Sequence, residues 1–378
     1  MEKTADFTEG RILSRLLRFA LPVLAALFLQ AMYGAVDLMV VGQFGAPTDV
    51  SAVSTGSQIM QTVTSLITGL AMGITILVGQ KIGEKRPEQA GDVIGSGICL
   101  FGVLAAVLTV LMILGAGFLA GLMHAPDEAF SQTVDYIRIC SAGAVFIIAY
   151  NVLGSIFRGI GDSRMPLFTV AAACVFNIGG DLLLVAGFHM GAAGAALATV
   201  AAQAAGVLLS LAVIRRRTLP FTIGKKNLRF ERRLVGKILA LGTPIALQDL
   251  LVSISFLVIL AIVNSMGVIA SAGVGVAEKL CAFIMLVASA YMQSMSAFVA
   301  QNMGAGKPER AKRALLYGIG TSLMAGVTLF YFSFFHGDAM AGIFARDPQV
   351  VAAAADYLKA YAIDCILKIG RASCRERV

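Results

Sequence analysis

Apolar residues in this chain run in blocks of about 20 and do not alternate with polar ones, and short polar stretches rich in Lys and Arg separate the blocks. A bilayer core of about 30 Å takes roughly 20 apolar residues wound as a helix, so each block predicts one membrane-spanning helix. Ten such stretches occur, at about 16–41, 54–79, 92–122, 137–157, 166–187, 191–214, 238–263, 268–300, 314–335 and 351–368. Several contain Pro, Gly or a lone polar group. That predicts an all-α polytopic bundle whose helices satisfy one another, because hydrocarbon offers the backbone no hydrogen bonds. The first block follows the acidic, polar segment MEKTADFTEG and reads as an uncleaved first span, not a removable leader.

The polar stretches give the bundle a direction. If the N-terminus is cytoplasmic, 22 Lys and Arg fall in the inner segments, from Lys3 to Arg313, whereas the outer loops hold two at most, Arg138 and Arg346. The positive-inside rule then orients the chain as a multi-pass membrane protein with its N-terminus inside. The same asymmetry accounts for the net charge of +8 without a nucleic-acid partner. The longest basic loop, RRRTLPFTIGKKNLRFERR, joins spans six and seven and suits contact with anionic lipid as well as simple linkage.

Composition removes other classes. The chain is 58% hydrophobic and 14% charged, against about 25% charged residues in soluble domains. Its 40 glycines suit close helix approach in a membrane. Six scattered cysteines without a CxxC support neither a disulfide framework nor a zinc site. His124, His189 and His336 fall at span ends or loops, and GAGKP at 304–308 lacks the residues of a phosphate-binding loop. The chain is therefore expected to be no enzyme and to need no cofactor. Transport by it would draw on an ion gradient.

The sequence also repeats itself. VGQKIGEKRPEQA at 78–90 returns as VAQNMGAGKPERA at 299–311, Pro22 corresponds to Pro244, and Asp135-Tyr136 to Asp356-Tyr357, at an offset of 221 or 222. Each unit starts on the same side of the membrane, so the halves are parallel repeats, an arrangement that places a solute cavity between two lobes. The expected organisation is a six-span lobe at 1–214, a basic linker at 215–237 and a second lobe at 238–368 with four of an expected six spans. Residues 369–378, within KIGRASCRERV, read as translated sequencing adapter, with two further spans expected; a natural ten-span protein with a basic tail is the alternative.

Ionisable and polar groups at membrane depth are functional candidates. Asp37 in span one, Asn177 and Asp181 in span five and Thr199 in span six fall at similar depth, and Asn177 and Asp181 share a helix face. Together they form an all-oxygen set suited to Na+ or to a proton. Gln30, Tyr33, Glu278, Lys279 and Met292 are candidate cavity residues. Apart from Lys279, almost no basic residue is expected at midplane.

Together, FALPVLAALFLQAMYGAVDLMVVGQFG, FRGIGDSRMP, CVFNIGGDLLLVAG, GAAGAALATVAAQ and QNMGAGKPERAKRA resemble the multidrug and toxic compound extrusion (MATE) family over essentially all of 10–367. The resemblance implies twelve helices in two lobes, and a monomer. It implies export of cationic or amphipathic small molecules in exchange for Na+ or H+, with Asp37, Asn177, Asp181 and Thr199 at the coupling site. Some relatives carry a glutamate in span seven where Val252 stands here. Two other readings remain: a lipid-linked oligosaccharide flippase, which would want several cavity arginines, and a non-transporting membrane scaffold.

Overall fold

The computed structural model describes residues 6–217, 219–221, 224, 226–264, 268–343 and 347–374, and every regular element among them is helical. The first half holds α1 (Ile12–Phe44), α2 (Pro47–Gly83), α3 (Pro87–Leu122), α4 (Phe130–Ala142), α5 (Ala144–Gly159), α6 (Arg164–Asp181) and α7 (Gly191–Arg216). The second holds α8 (Arg232–Asn264), α9 (Val268–Gly304), α10 (Pro308–Phe335), the short α11 (Gly337–Ala341) and α12 (Pro348–Cys374). Among the described residues, eight helices are long and apolar enough to cross a membrane, and one bent pair supplies a ninth crossing. α12 lies where the tenth apolar stretch predicts a span. Arg346 and residues 375–378 lie outside the described residues. α3 turns Leu114 outward at 80% exposure and Val110 at 56%, an apolar surface suited to lipid.

The stretch 137–157 departs from the expected single straight span. α4 and α5 meet there at 54°. Gly143 sits at the break, and a Cβ on it would run into the side chain of Val200 on α7. The glycine lets α7 press into the chain at the point where the helix gives way.

The repeat is visible in the helix bounds themselves. α2 and α9 each have 37 residues, and α3 and α10 each begin on a proline, at Pro87 and Pro308. The intervening turns also match bond for bond. Glu84 N, Lys85 N and Arg86 N donate to the carbonyls of Gln80, Ile82 and Lys81, and Ala305, Gly306 and Lys307 donate to those of Gln301, Met303 and Asn302. Lys85 and Gly306 both take positive φ, 57° and 67°, which costs a non-glycine residue about 1–2 kcal/mol.

The halves meet at the end of the bundle that carries these basic turns. There Gly83 lies against the backbone of Gln301 on α9, and Gly304 lies against the backbone of Gln80 on α2. Further along α2, Gly69 packs on Ala246 and Gly73 on Ile238, while Gly242 packs on Leu70. Small residues let membrane helices approach to backbone contact. The N-terminal segment closes the same end, with Phe7 buried between Phe19 and Phe298 at ring distances of 5.0 and 4.9 Å. Its carbonyl accepts from Arg310 Nε at 2.9 Å and Asn302 Nδ2 at 3.2 Å.

A methyl group at position 83 or 304 would meet backbone atoms, which cannot rotate away. Gly83→Ala and Gly304→Ala are therefore expected to destabilise the protein by about 1–3 kcal/mol in thermal unfolding. Gly320→Ala, on open helix surface, should be neutral or stabilising by up to about 1 kcal/mol.

Candidate functional site

α1, α6 and α7 converge on a buried pair of carboxylates. Asp37 is 5% exposed, Asn177 1% and Asp181 0%. Asn177 Nδ2 donates to Asp37 Oδ1 at 3.5 Å, and Thr199 Oγ1 donates to Asp37 Oδ2 at 3.4 Å. Both contacts are long. The Asp181 side chain lies against that of Asp37, yet neither of its oxygens meets a donor, and Asn177 Oδ1 has none either. The structure thus brings the four residues matched by depth in the sequence into one pocket.

Local sequence explains the convergence. Asn177 and Asp181 are one turn apart and share a face of α6. Gly180 lets α6 approach α7, since a Cβ there would stand 3.0 Å from Ala198 Cβ. Immediately after Asp181 the helix widens into a π-helical turn, Leu182–Gly187, a feature frequent at functional positions. Asp49 then ties the start of α2 to the start of α7, accepting from Ala46 N and Ala192 N, each at 3.0 Å.

Two carboxylates side by side in a low dielectric cannot both keep their charge uncompensated. Three buried acceptor oxygens without donors, two on Asp181 and one on Asn177, leave the pocket one positive charge short. An all-oxygen set of this kind suits a proton or a hard cation. Among the described residues no group of three His, Cys, Asp or Glu is placed to hold a metal ion.

A cavity of about 750 Å³ opens between α2 and α3 on one side and α8 and α9 on the other, in the half of the bundle away from the glycine contacts. Met112, Phe118, Phe256 and Met285 make its walls mostly apolar, and Gln61, Ser253 and Glu278 add polar groups. Glu278 Oε1 is buried there without a donor. Lys279 does not line this cavity: it is exposed, turned about 100° around α9 from Glu278. Met292 lines neither this cavity nor the smaller one described next. Tyr33 stands beside the amides of Gln30 and Gln203.

Gln30 lines a second cavity of about 40 Å³, and Arg158 lines it too. The sequence places Arg158 in the basic loop after span four, yet the side chain faces the bundle interior. The signal in the sequence is the stripe Asn151, Ser155, Arg158, spaced i, i+4, i+7 on one helix face.

Comparison with known proteins agrees in fold and family. The sequence model described as MatE matches residues 22–183 and 244–372, one match in each repeat. The probable multidrug resistance protein YoeA of Bacillus subtilis is 27% identical over 340 residues, covering 88% of this chain and 73% of that protein. A protein of Shewanella oneidensis named FAD transporter is 27% identical over 351 residues, covering 90% and 76%. An outward-facing structure of a multidrug resistance MATE family transporter of the MOP superfamily superposes with a TM-score of 0.90 at 21% identity, covering 99% of this chain and 85% of the other.

The pocket makes opposite predictions for its two acids. Asp181→Asn replaces an unpartnered carboxylate with a neutral donor and should stabilise the protein by about 1 kcal/mol in buffer without alkali cations. Asp37→Ala strands Asn177 Nδ2 and Thr199 Oγ1 and should destabilise it by about 1–3 kcal/mol, both read by thermal unfolding in detergent.

Proposed function

The chain belongs to the MatE family, whose members are secondary transporters and not enzymes, and from that premise we propose that it exports amphipathic or cationic organic solutes in exchange for a cation bound at Asp37. The observation that carries this reading is the charge deficit of the Asp37–Asp181 pocket, set in one lobe beside a solute-sized cavity between two lobes. In this reading the lobes span 1–214 and 238–368, and 215–237 joins them. The basic end faces the cytoplasm.

The coupling ion is Na+ or H+, entering from outside and settling among Asp181, Asn177, Thr199 and Asp37. α1 carries Asp37 near one end and packs against α9 of the other lobe, so compensation of Asp37 repacks the helix that borders both lobes. Ion binding weakens solute binding in the cavity, and linkage requires that solute weaken ion binding by the same factor. Glu278 supplies the negative charge that an organic cation meets on the apolar wall, where desolvation strengthens the attraction.

Ethidium efflux from cells depleted of their own exporters tests the proposal. An imposed Na+ gradient or pH gradient should drive efflux, and Asp37→Asn should reduce it to the rate of cells without the protein. Efflux indifferent to both gradients and to Asp37→Asn overturns the reading. Glu278→Gln should raise KM for ethidium about tenfold with a smaller change in maximal rate. An unchanged KM removes Glu278 from the solute site.

A further inference from the structure

Arg158 is the last residue but one of α5, and a basic side chain at a helix end in a membrane ordinarily reaches outward to headgroups and water. This one turns the other way. Its NH1 lies over Gly154, one helical turn toward the bundle interior, where a Cβ would come within 3.3 Å. NH2 donates to Ser155 Oγ at 2.9 Å. Nε meets no acceptor, and no carboxylate pairs with this guanidinium in the ion pairs of the described residues.

The cavity it faces is bounded by α1, α5 and α6 of the first lobe and by α9 of the second. Its other polar lining groups are neutral. Asn151 Nδ2 donates to the carbonyl of Ile147, Thr169 Oγ1 donates to that of Met165, and Tyr150 also lines the cavity. Gln30 and Gln293 remain as amides, and Gln293 is 5% exposed with an unpartnered Oε1. Its amide can turn over without change of shape, presenting donors in place of the oxygen.

A guanidinium with no carboxylate opposite it, among neutral amides, a threonine hydroxyl and the Tyr150 phenol, is a site short of one negative charge. We propose that Arg158, with Gln293 across the lobe boundary, seats an anionic oxygen group, a carboxylate or a phosphate, at one end of the transported molecule. The planar fork of arginine matches such groups with two parallel hydrogen bonds. A volume of about 40 Å³ admits the charged end of a solute and not its organic body. Both lobes contribute to the seat, so an anion here is held in the arrangement closed at the basic end. The inference rests on the transport reading and narrows it, adding an anion-recognising element in the second cavity to the apolar cavity suited to cations.

The test compares riboflavin with flavin mononucleotide, which share a ring system and differ by one phosphate. Binding is read by flavin fluorescence anisotropy on the whole chain in phosphatidylcholine nanodiscs. The mononucleotide should bind about tenfold or more tighter. Arg158→Gln should abolish the difference, and Arg158→Lys should retain part of it. A fall in mononucleotide affinity in discs containing phosphatidylglycerol identifies a lipid headgroup as an occupant of the same seat, and constant affinity identifies the solute; both support an anion seat. Equal binding of the two flavins, or a preference that survives in both Arg158 variants, overturns it. Failure of ethidium efflux with the flavin preference intact refutes cation-coupled export and leaves the seat standing.

Discussion

Gly83 and Gly304 bring α2 and α9 into backbone contact, each against the glutamine one turn back on the other helix. The contact is reciprocal because the chain repeats, and residue 80 relates to 301 as 83 relates to 304. The two halves are joined closely at the end that carries these glycines and stand apart toward the other. That is where the 750 Å³ cavity lies. Membrane helices gain little from apolar contact alone, since lipid is as apolar as leucine. Close backbone approach and a few interhelical hydrogen bonds therefore carry the association, which explains why glycine stands at the contact points Gly69, Gly73 and Gly83 on α2, Gly242 on α8 and Gly304 on α9.

The same scarcity of compensation makes the polar interior informative. In hydrocarbon an unsatisfied carboxylate or guanidinium has no water to fall back on. Asp181 and Arg158 are both left short, one of positive charge and one of negative, and they do not neutralise each other. Asp181 is on the far side of α1 from the basic end, grouped with Asp37, whereas Arg158 lies among Gln30, Tyr150 and Gln293. Two opposite deficits held apart in one bundle are costly to keep and are best understood as places that something else completes.

Much of this was legible along the chain. Blocks of about 20 apolar residues mark helices because a helix needs about that many to cross lipid and a strand far fewer, and the turn after α2 returned after α9 down to its hydrogen bonds. Asp37, Asn177, Asp181 and Thr199 could be gathered by depth alone, since a helix converts residue number into height at about 1.5 Å per residue. What stayed hidden depends on direction around the helix and on partners distant in sequence. Lys279 and Arg158 exchanged roles on that account: Lys279 lies mid-span but points away from the cavity, and Arg158 sits in a basic stretch but points inward. The break at Gly143 was equally hidden, because its cause is Val200, 57 residues on.

α1 connects the two deficits. Gln30, Tyr33 and Asp37 follow at i, i+3 and i+7 and so line one face of it, with Gln30 on the arginine cavity and Asp37 on the acidic pocket. Tyr33 stands between them, against Gln30 and Gln203. Below Gln30 the helix contains Pro22, which removes a backbone donor and loosens the ladder there. A helix packed on α6 in its own lobe and on α9 in the other, and weakened near its basic end, carries a shift at Asp37 along to Gln30 and so to the cavity that Gln30 lines with Arg158 and Gln293. In the proposed reading, charge compensation at one end of this face and solute recognition at the other are two biases on a single pliable element, which is the physical content that coupling between ion and solute requires.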